Sequence, residues 1–353
     1  MEARGQRQGD QQGDQQGEGG REDAGAEGDA HGDARYTISI PTVSSDLRRG
    51  PAVPLGVRLV QTAAVTLLLQ TPRAWVRRVL AGPLGLPSPL VGRTVLVTGA
   101  SSGIGEHTAY AAARAGAHVL LVARRAEELD RVRASIEAEG GRATAYPCDL
   151  TDGDAIDALV TTLLEEHTAV DYLVNNAGRS IRRSLHLSYD RFHDVERTMA
   201  INYFGPVRLT MGLLPAMRAQ RFGAVVNIVT WGVQVKAPKF SAYIASKTAL
   251  DSWSRIAGRE AYGDNVTFTN MRFSLVRTPM IAPTEAYASL PGETPEQAGA
   301  RVVRALEDRP LTVDNVYGRV SGVLNVALPR ASDALFHRLD RRMPDSKAAR
   351  GRE

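Results

Sequence analysis

The chain has 353 residues, of which 43% are hydrophobic, with a formal net charge of +4 and one cysteine. A single cysteine excludes an intrachain disulfide framework, and the seven histidines show no ligand-like spacing, so no metal site is predicted. The sequence contains no second set of motifs and no internal repeat, which favours one domain with terminal extensions.

The first part of the chain, residues 1–40, is rich in Gly, Gln, Asp and Glu and is predicted to be disordered. Residues 1–35 hold nine acidic and four basic side chains, a balance of −5 that leaves +9 for the remainder. A basic body suits an anionic cofactor, an acyl-CoA or a membrane surface, whereas no nucleic-acid motif is present.

Residues 55–82 form an apolar, arginine-bearing segment that is predicted to be an amphipathic helix. Arg58, Gln61 and Gln70 interrupt it too often for a membrane span, and no secretory cleavage site is clear. Two interpretations stay open, a helix packed on the following domain or on a partner, and an interfacial anchor.

The next segment predicts a buried parallel strand at 94–98, a turn at 99–105 and a helix at 106–115. Glycines in the turn would let backbone amides approach a pyrophosphate, which the positive helix end stabilises. The spacing Gly99-x-x-x-Gly103-x-Gly105 differs from the dinucleotide pattern Gly-x-Gly-x-x-Gly and from the Walker loop.

The second strand, residues 118–123, leads into Arg124 and Arg125. At this place an acidic residue would bind the adenosine 2′-hydroxyl, whereas arginine donors suit a 2′-phosphate. The alternative is that both arginines begin a solvated helix, 124–139, although cations are slightly unfavourable at a helix N-terminus. NADPH is therefore predicted over NADH.

Alternation of strands and helices continues along the chain and predicts an α/β fold with a doubly wound parallel sheet. Further strands are predicted at 144–148, 172–175, 224–229, 266–273 and 311–313, and a further helix at 295–306. Cys148 ends the third strand and is predicted to pack in the interior. Residues 315–342 alternate apolar and basic side chains and either cover the substrate cleft or lie on a membrane.

Tyr243 and Lys247 are four residues apart in a segment that is predicted to be helical, so both side chains share one face. A phenol with an ordinary pKa of about 10 is a poor acid-base group at neutral pH. An adjacent ammonium group favours the phenolate, and such a pair can transfer a proton.

Residues 93–310 resemble the short-chain dehydrogenase/reductase superfamily. The motifs that carry the resemblance, in the order of the family, are Thr98 to Gly105, Asp149-Leu150, Asn175-Asn-Ala-Gly178, Asn202, and Tyr243 with Lys247. The resemblance implies a Rossmann-type NAD(P)-binding catalytic domain at 93–313, with a helical C-terminal extension at 314–353.

The resemblance also implies a role for each site residue. Tyr243 would donate the proton, Lys247 would lower the pKa of Tyr243 and hold the nicotinamide ribose, and Asn202 would anchor a relay water. The implied cofactor-binding residues are Gly99, Ser101, Ser102, Gly103, Ile104, Gly105, Arg124, Asp149, Leu150, Asn176, Ala177, Gly178, Tyr243, Lys247, Val276 and Thr278.

The chain departs from the family pattern at two places. Thr230 occupies the position of the usual catalytic serine, keeping the hydroxyl but adding a methyl group and a stiffer rotamer choice. Phe273-Ser274 replaces the usual Pro-Gly after the sixth strand. The first departure concerns the orientation of the substrate carbonyl, and the second concerns the shape of the loop before Thr278.

The stretches 175–183, 189–199 and 277–284 resemble bacterial fatty acyl-CoA reductases, as does Met343-Pro-Asp-Ser346. The implied reaction is reduction of a long-chain acyl-CoA to a fatty aldehyde with NADPH. Arg179, Arg182 and Arg183 either bind CoA phosphates or form a solvated basic loop.

Two other functions stay open. One is oxidoreduction of a ketone or alcohol on another lipid-like, steroid or polyketide substrate, and the other is a catalytically weakened NADPH-binding regulatory protein. A homo-oligomer is expected from the resemblance. A cytoplasmic location is expected from the lone cysteine, with peripheral membrane contact as a further prediction.

Overall fold

A computed structural model of the chain describes residues 84–281, 291–345 and 348–350. The predicted disordered tail at 1–40 and the predicted amphipathic helix at 55–82 lie outside these residues. Within them, no helix combines the length and the apolar character that crossing a bilayer requires.

Seven strands form one parallel sheet in the order β3-β2-β1-β4-β5-β6-β7. The strands are β1 (Thr94–Thr98), β2 (His118–Ala123), β3 (Arg142–Pro147), β4 (Tyr172–Asn175), β5 (Gly223–Thr230), β6 (Val266–Phe273) and β7 (Thr312–Val313). The chain winds outward from β1 to one edge and then from β4 to the other, which confirms the predicted doubly wound sheet.

Helices connect the strands and cover both faces of the sheet. They are α1 (Gly103–Arg114), α2 (Ala126–Ala138), α3 (Gly153–Glu166), α4 (Phe192–Met199), α5 (Gly205–Ala219), α6 (Gly232–Val235), α7 (Ser241–Glu260), α8 (Pro295–Asp308), α9 (Val316–Ala327) and α10 (Pro329–Arg341). Short 3₁₀ turns lie at Leu185–Leu187, Tyr262–Asp264 and Ala348–Arg350.

The central strands β1, β2 and β4 are apolar on both faces because both faces are buried. In β1, Val95 and Val97 belong to one hydrophobic cluster, whereas Leu96 between them belongs to the cluster on the opposite face. This period of two explains why the strands appear in the sequence as continuous apolar runs.

Three predicted boundaries differ from the structure in ways that affect the site. Helix α1 begins at Gly103, within the predicted turn, and α2 begins at Ala126, so Arg124 and Arg125 precede the helix. The predicted stretch 315–342 forms two helices that meet at Leu328, because a proline suits the first turn of a new helix but not the interior of a continuing one.

Candidate active site

The carboxyl ends of β1, β4 and β5 lie side by side and carry most of the predicted site. In register, Val97 pairs with Val174, and Asn175 pairs with Asn227. The glycine turn therefore leaves β1 directly beside the segment 176–178 that leaves β4. Thr230 ends β5 at the same edge of the sheet.

The turn after β1 has a backbone that requires glycine. Gly99 and Gly103 have φ angles of +65° and +59°, in the left-handed region. A Cβ atom at Gly105 would lie 2.2 Å from the carbonyl oxygen of Gly99. The Ser102 side chain at the N-terminus of α1 makes no capping hydrogen bond. These features fit a turn whose amides receive a phosphate.

Thr98 joins this turn to the end of β4, a role that the sequence motifs did not predict. Its hydroxyl donates to the carbonyl oxygen of Val174 at 3.1 Å and accepts from the backbone amides of Asn176 and Ala177 at 2.9 and 3.0 Å. The Asn176 side-chain amide donates to the Thr98 carbonyl oxygen at 2.8 Å. The glycine turn and the Asn-Ala-Gly segment are therefore one hydrogen-bonded unit.

Two arginines follow β2 beside the glycine turn. The Arg124 side chain is 73% exposed, and its guanidinium lies 3.7 Å from the Asp149 carboxylate. The Arg125 guanidinium donates to the Ser101 hydroxyl at 3.4 Å. An exposed ion pair contributes little in water, so Arg124 can turn to another anion at small cost.

Asp149 lies just after the end of β3, near the strand end where the sequence predicted it. The next residue, Leu150, is in the core. Burial by itself would raise the pKa of Asp149, yet hydrogen bonds from Thr151 and the Arg124 charge hold that pKa below its usual value. Leu150 is buried in the hydrophobic core. Its assignment to the cofactor site stays a prediction.

Tyr243 and Lys247 lie on the same face of α7, one turn apart. The Lys247 ammonium donates to the Ile228 carbonyl oxygen at 2.9 Å, and the residue is only 4% exposed. Burial lowers the pKa of Lys247 to about 8. Tyr243 is half-buried, with its ring centroid 6.2 Å from that of Phe240.

Asn202 lies in a π-helical turn, Ala200–Phe204, between α4 and α5. The side-chain amide donates to the Arg179 carbonyl oxygen at 2.9 Å and to the Ser246 hydroxyl at 3.0 Å, and its oxygen accepts from the Arg179 amide at 2.9 Å. A Cβ atom at Gly178 would lie 2.7 Å from that oxygen and 3.3 Å from the Lys247 nitrogen. Gly178 thus lets Asn202 and Lys247 approach one another. Such π turns are frequent at functional sites.

The Thr230 hydroxyl oxygen accepts a hydrogen bond from the Gly232 amide at 3.1 Å. A hydroxyl that accepts in this way still has its own proton to donate. The methyl group lies close to Gly232, because a Cβ atom built at Gly232 would lie 3.3 Å from it. The threonine thus retains a donor at the end of β5.

Thr278 packs on the glycine turn from the other side. A Cβ atom at Gly103 would lie 3.1 Å from the Thr278 methyl group. Val276 is buried and pairs with Glu293 in an isolated bridge, which fixes the loop after β6. Both residues therefore border the predicted cofactor site. Ile104, in the first turn of α1, is partly buried against the core.

A ladder of buried asparagines supports the site, and the sequence motifs did not reveal it. The Asn175 amide donates to the Asn227 side-chain oxygen at 2.9 Å, and the Asn227 amide donates to Asn270 at 3.3 Å and to Ser254 at 3.0 Å. The three asparagines are in register on β4, β5 and β6. Their one sequence signal is a polar residue within each apolar strand. Since Ser254 belongs to α7, the ladder fixes the Tyr243 helix against the sheet.

The basic loop after β4 is not simply solvated. Arg182 donates to the carbonyl oxygens of Pro344 and Met343 at 3.0 and 3.3 Å, and Arg183 donates to the Ala349 carbonyl oxygen. These contacts direct both guanidinium groups to the C-terminal segment. The predicted binding of CoA phosphates by Arg179, Arg182 and Arg183 stays a prediction.

A family model described as short chain dehydrogenase matches residues 93–288. The chain belongs to the short-chain dehydrogenase/reductase family. It is 47% identical over 262 residues to the fatty acyl-CoA reductase of Acinetobacter baylyi, which covers 74% of this chain and 89% of that protein. The predicted family membership is thereby confirmed, as is the predicted similarity to fatty acyl-CoA reductases.

Solved structures of the family share the fold. A short-chain dehydrogenase from Streptomyces avermitilis matches with a TM-score of 0.60 and 32% identity, over 71% of this chain and 97% of that one. A metagenomic short-chain oxidoreductase in complex with NADP matches with a TM-score of 0.56 and 30% identity, over 64% and 96%. The protein is therefore an NAD(P)-dependent short-chain dehydrogenase/reductase.

Proposed function

We propose that this short-chain dehydrogenase/reductase uses NADPH to reduce long-chain fatty acyl-CoA to fatty aldehyde. The observation that carries the proposal is the 47% identity to a fatty acyl-CoA reductase, which extends over 89% of that relative. Arg124, exposed beside the glycine turn, supports the choice of NADPH.

The proposed chemistry needs a hydride, a proton and a leaving thiol. The glycine turn, Asn176 and Thr278 would hold the cofactor, which when bound would supply a hydride to the thioester carbon. Tyr243 donates a proton to the carbonyl oxygen, and the product is a hemithioacetal. The hemithioacetal hydroxyl then passes its proton to the departing CoA sulfur as the carbonyl re-forms and the carbon–sulfur bond breaks. One NADPH and one proton are consumed, and one aldehyde, one CoA and one NADP+ are formed.

We assign supporting roles to three further side chains. Lys247 would favour the phenolate of Tyr243 by its charge and would contact the ribose of the bound cofactor. Asn202 orders the path by which the proton is replaced, because its carboxamide is held by Arg179 and Ser246. The Thr230 hydroxyl donates to the substrate oxygen while it accepts from Gly232.

An apolar cleft near this edge of the sheet supports a lipid-like substrate. Its volume is about 610 Å³. The lining residues are Gln234, Arg319, Gly322, Val323, Val326 and Ala327. The cleft lies between α9 and α6, and α6 begins two residues after Thr230. Its size is within the usual range for small-molecule sites.

The same helix supports the proposed peripheral membrane contact. Tyr317, Val320 and Leu324 on α9 are exposed and do not line the cleft, and Arg330 lies close to them in the chain. Apolar side chains beside arginines suit an anionic lipid surface. A cytoplasmic location and a homo-oligomer complete the proposal.

The reaction can be tested with purified protein, NADPH and palmitoyl-CoA. We expect NADPH oxidation together with one CoA thiol per NADPH, measured with a thiol reagent. Thr230→Ser should change kcat by less than about threefold, because both side chains present a hydroxyl. Absence of CoA release at every acyl chain length would contradict the proposal. If the wild-type protein is inactive and Thr230→Ser restores turnover, the regulatory alternative is supported instead.

The choice of NADPH can be tested with Arg124→Ala. We expect the KM for NADPH to rise by about 10- to 100-fold, because a charge-assisted phosphate contact is lost, while the KM for NADH changes less than about twofold. Arg114→Ala, on exposed surface of α1, is the matched control. Equal losses for both cofactors would argue against a 2′-phosphate contact.

A further inference from the structure

The C-terminal segment returns to the edge of the sheet where the site lies and contacts two loops there. We define the clasp as residues 340–345, the β4 loop as residues 178–188 and the β5 loop as residues 236–240. Apart from the 3₁₀ turn Leu185–Leu187, neither loop has a helix or strand of its own. Holding such loops in one conformation costs chain entropy that contacts from elsewhere must offset.

Asp345 binds the middle of the β4 loop with both carboxylate oxygens. One oxygen accepts from the Ser184 amide at 3.0 Å, and the other accepts from the Ser184 hydroxyl at 2.6 Å. Arg182, two residues earlier in the loop, donates to the Pro344 and Met343 carbonyl oxygens. Burial by itself would raise the pKa of Asp345, but the Ser184 donors and the charges of Lys239 and Arg182 keep it below its usual value.

Asp340, at the end of α10, binds the β5 loop. Its carboxylate contacts the Lys239 ammonium, which also donates to the Asp340 carbonyl oxygen at 3.2 Å. The Lys239 side chain is only 7% exposed, so this ion pair is more shielded from solvent than a surface pair. The two loops are joined directly as well, because the Arg183 amide donates to the Lys239 carbonyl oxygen at 2.7 Å.

Both loops connect to the residues that we place at the reacting carbonyl. The β4 loop begins beside Asn202, which exchanges two hydrogen bonds with the Arg179 backbone. The β5 loop ends at Phe240, whose carbonyl oxygen accepts from the Ile244 amide in the first turn of α7. Tyr243 lies in that same turn. A movement of Ser184 or Lys239 would therefore be passed along these loops to Asn202 and Tyr243.

We propose that Asp340 and Asp345 are positioning residues, and that the clasp holds the β4 and β5 loops in the conformation that frames the substrate carbonyl. This inference rests on the proposed position of the active site. It gives the C-terminal extension a role at the proposed active site, rather than only in packing on the surface of the domain. It also assigns Arg182 to the clasp rather than to the CoA phosphates.

The first test is kinetic and uses the full chain with Asp345→Ala, Ser184→Ala and the double variant. We expect kcat/KM for palmitoyl-CoA to fall by about 10- to 100-fold in each single variant, because hydrogen bonds to a charged group are lost. The double variant should be no worse than Asp345→Ala, since the partners share one interaction. The Kd of NADPH should stay within about twofold of the wild-type value, because the clasp does not touch the glycine turn. Asp333→Ala, on the exposed surface of α10, is the matched control.

The second test is hydrogen exchange without substrate, which separates this inference from the proposed reaction. Amides of the β4 and β5 loops should exchange at least about tenfold faster in Asp345→Ala and Asp340→Ala, while strand β1 stays protected. A wild type inactive on acyl-CoA would overturn the proposed function and leave this test intact. Unchanged hydrogen exchange in the two loops would overturn the proposed role of the clasp. So would faster exchange throughout the protein together with altered NADPH binding. Should Asp345→Ala fail to fold, Ser184→Ala removes hydroxyl donation to the same carboxylate.

Discussion

Replacing Tyr243 by phenylalanine is expected to lower kcat for carbonyl reduction by about 10³-fold, the contribution that a positioned general acid typically makes. The ring remains, so its packing near Phe240 at a centroid distance of 6.2 Å is preserved. The lost group is the hydroxyl, and with it the proton that the reduced oxygen must receive. Steady-state NADPH oxidation with palmitoyl-CoA measures the effect.

NADPH binding separates a chemical effect from a structural one. We expect the Kd of NADPH in Tyr243→Phe to stay within about threefold of the wild-type value, since most proposed contacts come from the glycine turn. Tyr262→Phe removes a hydroxyl from an exposed tyrosine after α7 and serves as the matched control. A Tyr243→Phe enzyme that keeps more than about a tenth of wild-type kcat would show that another group donates the proton.

Replacing Lys247 by methionine is expected to lower kcat/KM by about 10³-fold or more, because the charge beside Tyr243 and the proposed ribose contact are lost together. Methionine keeps the length and the apolar stem of lysine. The buried Ile228 carbonyl oxygen then loses the ammonium that donates to it at 2.9 Å. Arg259→Met, which removes a basic side chain from the exposed last turn of α7, is the matched control and should retain wild-type kinetics.

Stability against pH gives an independent measurement on the same variant. Burial lowers the pKa of Lys247 from 10.5 to about 8, so keeping it protonated in the folded protein costs about 3 kcal/mol. Below pH 8, Lys247 is protonated in both the folded and the unfolded protein, and the folded protein bears the full cost. Between pH 8 and 10.5, Lys247 is protonated only in the unfolded protein, so the cost decreases. Above pH 10.5 it is deprotonated in both states and the cost is zero.

The free energy of unfolding of wild type, relative to Lys247→Met, should therefore increase as the pH rises from about 8 toward 10.5. Denaturant unfolding at pH 7.5 and 9.5 measures this difference. Comparison with Arg259→Met removes the contributions of other titrating groups. A relative stability that is flat with pH, or that falls, would show that Lys247 is not desolvated as the structure describes.

The central strands were predictable because they are buried on both faces. The strands Thr94–Thr98, His118–Ala123 and Tyr172–Asn175 have the bounds that their apolar runs predict. Helix starts were less predictable. Helix α1 begins at Gly103, although this glycine has a left-handed φ and glycine disfavours helices. Thr278 packs against Gly103 from far along the chain, a contact that no local pattern shows.

The motifs of the proposed site were predictable where spacing along one element defines a face. Tyr243 and Lys247 are one helical turn apart, so a shared face of α7 follows from the sequence. Thr98 could not be predicted as the link between the glycine turn and Asn176, because its partners are more than seventy residues away in the chain. The asparagine ladder likewise depends on the register of β4, β5 and β6.

By itself, the sequence determined the family and the parallel α/β sheet, and it predicted Tyr243 as the acid, Lys247 as its partner and the glycine turn as the cofactor site. These follow from local periodicity and from motifs in a fixed order. Tertiary structure alone decided how the Thr230 hydroxyl is oriented, and that Arg182 and Ser184 receive the C-terminal segment rather than solvent. The physical reason is that a rotamer or a long-range hydrogen bond depends on which chain segments meet, and no local pattern encodes that.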